Sequence, residues 1–156
     1  MNPEVKHNLG KLDDFVKGLS KHYIVKVGII GSDGSEDHGG VNNAEIGAVH
    51  EFGSYDRTIP KRSFLRMPLF QRTEAILDYV KRHSLEALSM GNFKQVFKNL
   101  GIACENVIDQ AFESSGFGSW KKLKPQTIRR KISNNPMPLV NTEQLRRSIS
   151  SLVEEK

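Results

Sequence analysis

The sequence predicts an α+β domain in which a small mixed or antiparallel β-sheet packs against two long α-helices, with an N-terminal helix and long loops besides. Three observations predict it. Two extended stretches, 67–89 and from 93 to near 114–116, carry apolar residues at three- and four-residue steps. One compact segment, 22–30, is rich in β-branched residues. Glycine- and proline-rich stretches separate the remaining short elements. No internal repeat interrupts this order, and 156 residues suit one domain with an extended C-terminal arm at about 116–141.

Val5, Leu9, Leu12, Val16 and Leu19 fall on one stripe and predict the first helix, with Gly18 and Ser20 as stop signals. His22 to Ile30 is the strongest strand. Residues 31–40, polar and glycine-rich, have the composition of a mobile loop. A short helix follows from Asn43, capped by Asn42 or Asn43 and ended by Gly53. Ile46, Val49 and Phe52 predict its buried side. Pro68 is acceptable in a first helical turn, so the next helix starts near Met67 and runs to about Ser89, with Leu69, Ile76, Leu77, Val80 and Leu88 inward. Met90-Gly91-Asn92 ends it and caps another. That helix has the cleanest stripe, from Phe93, Val96, Phe97 and Leu100 to Cys104, Val107, Ile108 and Ala111. Pro125 to Lys131 predicts a helical turn or two, Thr142 to Arg147 a last short helix, and Ser148 to Val153 a second strand.

The residues that carry chemistry are sparse. His50-Glu51 begins like a zinc-protease helix, but Ser54 stands where the second histidine of His-Glu-x-x-His belongs. His38, His50 and His83 are scattered. The lone cysteine, Cys104, excludes an internal disulfide and sits on the apolar stripe, where a thiol packs as a small hydrophobe. Gly31 to Ser35 lacks the lysine and the following Ser/Thr of a phosphate loop. The expectation is therefore a protein that is not an enzyme and uses no cofactor or metal. No apolar run approaches the roughly 20 residues of a membrane-spanning helix. Residues 1–6 lack the apolar core of a signal peptide, which implies manufacture and use in a cytoplasm.

The net charge of +5 is unevenly placed. Lys121, Lys122, Lys124, Arg129, Arg130 and Lys131 gather in the arm, followed by Arg146 and Arg147, and a weaker group comprises Arg57, Lys61, Arg62 and Arg66. Such asymmetry points to acidic partners, either nucleic acid or the acidic face of a protein. Trp120 beside Lys121 and Lys122 could combine stacking with phosphate attraction, although a tryptophan in such a setting is more often a core or interface anchor.

Two ordered blocks carry a resemblance. The first is Asn43-Ala44-Glu45-Ile46-Gly47-Ala48-Val49-His50-Glu51-Phe52-Gly53, followed by Ile59-Pro60-Lys61-Arg62-Ser63-Phe64-Leu65-Arg66. The second is Trp120 with Leu123, then Pro125 to Lys131, then Pro138-Leu139-Val140-Asn141-Thr142-Glu143-Gln144-Leu145-Arg146-Arg147-Ser148-Ile149. In this order they resemble the phage virion-morphogenesis and minor-tail proteins, which include tail-completion and head–tail joining proteins. The resemblance spans roughly residues 23 to 150. It departs from the family at Asn141-Thr142-Glu143, where an Asp-Thr-Gly step is usual, and it leaves a final strand that is short or completed by a neighbour.

The resemblance implies a structural virion protein at the neck of a tailed phage. It would assemble in the host cytoplasm as a homo-oligomeric ring, commonly hexameric. Its partners would be connector or neck proteins and tail-tube or terminator proteins, with non-specific contact to packaged DNA and no membrane. Glu51, Phe52 and Gly53 would set the exit angle of the loop that follows, in which Pro60 stands. Phe64 and Leu65 would anchor the chain after it. Arg62 and Arg66 would hold the loop through carboxylates or face a ring neighbour, and Pro138 and Leu139 would dock the returning arm. Loops 31–42 and 54–61 and the arm would gain order on assembly. A stand-alone basic nucleic-acid-binding protein is the alternative.

Overall fold

In the computed structural model, residues 12–31, 42–131, 136–139 and 143–156 are described. Helix α1 covers 12–19, strand β1 Tyr23–Ile29, and α2 Asn43–Phe52. Then come α3 (Arg66–Gln71), α4 (Thr73–Ser89), α5 (Phe93–Glu113), α6 (Pro125–Arg130), α7 (Gln144–Arg147) and strand β2 (Ile149–Glu155). The fold is α+β, with helices packed against a two-stranded antiparallel sheet, as the sequence predicts.

The strands pair from Tyr23 opposite Glu155 to Ile29 opposite Ile149. Far from being short, β2 matches β1 over its full length. Its acidic end is held by cross-strand charge: Lys26 meets Glu154 at 2.6 Å, and Lys21 meets Glu155 at 2.7 Å. Alternate side chains of β1 face α5, and Tyr23 lies 5.1 Å from Phe97, ring centre to ring centre. Gly101 allows this approach. A side chain there would run into Ser151 of β2.

Helix α5 follows its predicted stripe, and Asn92 caps it by accepting from the Gln95 amide at 3.2 Å. The predicted helix 67–89 is instead two helices, divided at Arg72. Thr73 stands at the break. Its hydroxyl donates to the carbonyls of Leu69 (3.1 Å) and Phe70 (2.9 Å), in competition with the helical amides.

The buried face of α4 also differs from expectation. Ile76 is buried, but Leu77 and Leu88 are exposed, and Ser84 is fully buried in their place. Asn99 of α5 is the cause. It donates to the His83 carbonyl at 2.8 Å and to Ser84 Oγ at 3.0 Å, and it accepts from Gln95 at 3.0 Å. A polar bridge thus sets the phase between the two long helices.

Helix α1 is rotated in the same way. Leu12, Val16 and Leu19 are exposed, whereas Phe15 packs on Phe93 with ring centres 5.3 Å apart. Val5 and Leu9 lie outside the described residues, as do Asn141 and Thr142 of the step that departs from the family, and most of the 31–42 loop.

Helix α2 opens with a capping box. Asn42 accepts from the Glu45 amide at 2.8 Å, and Glu45 accepts from the Asn42 amide at 3.1 Å. Asn43, the other candidate cap, is buried. The inward face of α2 is Asn43, Gly47 and Glu51, with Ile46 and Val49 half-buried and Phe52 exposed. Ile46 of the predicted side packs on the main core, but the centre of the inward face is Gly47, set against Ile29, Phe64 and Leu145, and its end is Glu51, held by polar donors.

The main core joins Phe64, Ile108, Ala111, Phe112, Trp120 and Leu145, and a second cluster of Ile76, Ala103 and Val107 lies beside it. Leu69 and Phe117 pack on both. Asn99→Leu is expected to cost about 1–3 kcal/mol, because Ser84 loses its buried partner. Adding Ser84→Ala should recover part of that loss, and urea unfolding of the single and double variants measures both.

Candidate functional site

Residues of the two blocks quoted above come together around Glu51. Its carboxylate is buried and accepts from Ser63 Oγ at 2.6 Å, the Phe64 amide at 2.9 Å and the Leu65 amide at 3.0 Å. The Arg66 amide is more distant at 3.4 Å, and Arg66 Nε stands 4.0 Å away. One side chain of α2 thereby holds the start of α3, where free amides and the helix dipole both favour an anion. The chain leaves α2 through Gly53 at φ 85°, where any side chain would press on the Lys61 backbone. It returns when the Arg62 amide bonds the His50 carbonyl at 2.8 Å.

The loop between these points is braced from within. Asp56 accepts from Ser54 Oγ (2.6 Å), Thr58 N (3.1 Å) and Thr58 Oγ1 (2.9 Å), and these bonds hold its carboxyl below the ordinary range. Ser54 and Ile59 close the loop backbone to backbone at 3.1 Å. Segment 54–61 therefore carries hydrogen bonds of its own.

The second block docks on the first. Trp120 is buried, donates from Nε1 to the Ser63 carbonyl at 3.1 Å, and meets the Phe112 ring edge-on at 5.7 Å. Its expected place among partner contacts is corrected: the indole is a core anchor. Arg62 is corrected likewise. It is 5% exposed, and its Nε donates to the Lys121 carbonyl at 3.0 Å, so it fixes the arm through a carbonyl rather than the loop through a carboxylate. Phe64 is fully buried, and Leu65 packs against the same core. Pro138 is buried and Leu139 joins the core, in agreement with a docked arm. Arg146 forks onto Asp109 (2.7 Å) and Glu113 (2.8 Å), which ties α7 to the end of α5 and raises the pKa of its guanidinium.

Lys121, Lys122, Lys124, Arg129 and Arg130 are exposed, and the ion pairs among the described residues involve other side chains. Arg57 and Lys61 are exposed too, while Arg66 lies over the exposed Phe52 ring at 5.7 Å. Pro60, which precedes Lys61, is half-buried.

Among the described residues, no group of three or more His, Cys, Asp or Glu side chains is placed to hold a metal ion. Burial and the neighbouring Glu105 push the Cys104 thiol up, away from the thiolate. His83 stacks on Tyr79 at 4.0 Å. His38 lies outside the described residues. His50 is mostly buried, its Nδ1 has no hydrogen-bond partner, and burial together with Arg62 lowers its pKa to about 4. Among the described residues, no helix is long and apolar enough to cross a membrane. Ser63 is the residue that sequence reasoning missed. It sits inside the quoted block, but nothing in its type announces that it links Glu51 to Trp120.

Comparison with protein-family models, with curated proteins and with solved structures gave no match.

Replacing Glu51 with Ala strands the amides of Phe64 and Leu65 and is expected to cost about 3 kcal/mol or more, whereas Ser63→Ala should cost about 1–2 kcal/mol. The fluorescence of Trp120, the one tryptophan in the chain, follows the unfolding of both. His50 makes a separate prediction. Its folded-state pKa of about 4 lies below the ordinary 6.5, so the neutral ring is favoured by folding. Its stabilisation is complete above pH 6.5 and is lost as pH falls from 6.5 toward 4, by up to roughly 3 kcal/mol. His50→Gln should flatten that slope in unfolding measured against pH.

Proposed function

We propose that this protein is a structural component of a tailed-phage virion and not an enzyme. In this reading it completes the tail end or joins tail to head at the neck, as a homo-oligomeric, commonly hexameric ring. It assembles in the host cytoplasm and remains at the head–tail junction of the mature particle. The observation that carries the reading is the meeting of the two resembling blocks. They lie far apart in the chain, yet Trp120 reaches the Ser63 carbonyl at 3.1 Å, and Ser63 in turn reaches Glu51 at 2.6 Å.

That unit leaves surfaces suited to assembly. A closed ring of identical subunits needs two different, complementary faces on each. The exposed Phe52, Tyr55 and Phe70 offer apolar contact area. Lys121, Lys122, Lys124, Arg129 and Arg130 offer charge to acidic neck, connector, tail-tube or terminator proteins, or to packaged DNA. The same cations favour a second reading, a stand-alone nucleic-acid-binding protein, which requires tight and steeply salt-dependent DNA binding by the isolated chain.

Exchanging Lys121, Lys122 and Lys124 for Glu should leave the fold intact, because all three side chains are exposed. The expected outcome is a block in joining, with heads and tails accumulating separately under the electron microscope. Normal joining by the triple variant would remove the arm from the proposed interface. Strong, salt-sensitive DNA binding by the isolated wild-type chain would favour the second reading.

A further inference from the structure

A cavity of about 400 Å³ lies where α2, the arm and α7 meet. Its size falls within the range of about 300–1,000 Å³ typical of small-ligand pockets. Ile46, Leu123, Leu139 and Leu145 give it apolar walls, while Arg62, His50 and Lys131 bring nitrogen groups to it.

Arg62 is the anomaly. A guanidinium carries five N–H donors and a charge that is costly to bury alone. Arg62 is 5% exposed, yet its one hydrogen bond from the side chain to a described residue runs from Nε to the Lys121 carbonyl. No carboxylate among the described residues stands within ion-pair distance of it. Lys131, which donates to the Met137 carbonyl at 2.7 Å, is close enough for the two positive charges to repel, and burial and Arg62 together lower its pKa. Glu143, the acid on the cavity lining, is exposed and engaged with Arg147 at 3.4 Å. His50 adds a buried Nδ1 without a partner. A buried cation beside a second cation, facing apolar walls, is the complement of an anion carried on an apolar body.

We infer that this cavity binds a carboxylate borne by an apolar group, with the carboxylate on the terminal nitrogens of Arg62 beside Lys131 and the apolar body against Ile46, Leu123, Leu139 and Leu145. Two sources share this chemistry: a free short-chain acid, and the terminal carboxylate of an apolar protein segment. The inference stands independently of the virion reading, since it rests on the cavity alone.

Calorimetric titration of the full chain tests it with five probes: hexanoate, 1-hexanol, inorganic phosphate, and an apolar pentapeptide in free-terminus and amidated forms. Hexanoate should bind about tenfold more tightly than hexanol, the difference expected of one charge-assisted contact. Phosphate, which lacks the apolar body, should bind more weakly than hexanoate. Preference for the free-terminus peptide over both its amide and hexanoate identifies a protein segment as the source, and preference for hexanoate identifies a small acid. Arg62→Gln should weaken hexanoate about tenfold. Leu123→Trp, which fills the cavity without touching the charge, should do the same, and it keeps the test decisive if Arg62→Gln does not fold. Equal binding of hexanol, tighter binding of phosphate, no heat from any probe, or unchanged affinity in Leu123→Trp would each overturn the inference.

Discussion

The carboxylate of Glu51 is the constraint on which much of the fold depends. It is a buried anion without a buried cation, stabilised by hydroxyl and amide donors from a segment that starts a dozen residues later. Such a group is stable only if every donor is in place. That requirement dictates the path of the chain from α2 through the braced loop to α3. It orients Ser63, whose carbonyl receives the indole of Trp120, and so decides where the C-terminal arm begins. Phe64 is carried into the core by the same turn, against Phe112 at 5.5 Å.

Polar contacts recur wherever this protein sets the angle between elements. Asn99 fixes α4 against α5, Arg146 fixes α7 against α5, and Lys26 with Glu154 sustains the far end of the sheet. The apolar core is modest, and two clusters share it. Hydrophobic burial holds the elements together without specifying direction. The directional bonds decide among the packings that burial would tolerate.

This division explains what was legible in the sequence. Helix α5, β1, the limits of α2 and the α+β class could be read because they follow from apolar periodicity, β-branching and capping residues. The inward faces of α2 and α4 could be read only in part: Ile46, Ile76 and Val80 pack on the core as expected, whereas Phe52, Leu77 and Leu88 are exposed. Glu51 and Ser84 are buried where a hydropathy pattern expects Phe52 or Leu88, and their burial depends on partners at Ser63 and Asn99 that no local window contains. At the break at Arg72 the Thr73 hydroxyl bonds the carbonyls of Leu69 and Phe70, a contact that apolar periodicity does not register. In the candidate site, the exposure of the arm's lysines agrees with their composition. Arg62 and Trp120 resemble surface ligands in sequence yet serve as internal fasteners, since only the folded chain reveals what they touch.

The pairing of β1 with β2 has a consequence in time. Lys26 and Glu154 are separated by 128 positions, whereas the α4–α5 hairpin closes over neighbouring chain. The entropic cost of bringing segments together grows with the length of chain between them. Nearby contacts therefore have the advantage early, and distant strand pairing is slow. Gly101 and the ring of Phe97 then present a ready template on which both strands can be laid. The sheet is accordingly the seam of this fold, drawn shut over a helical pair that precedes it.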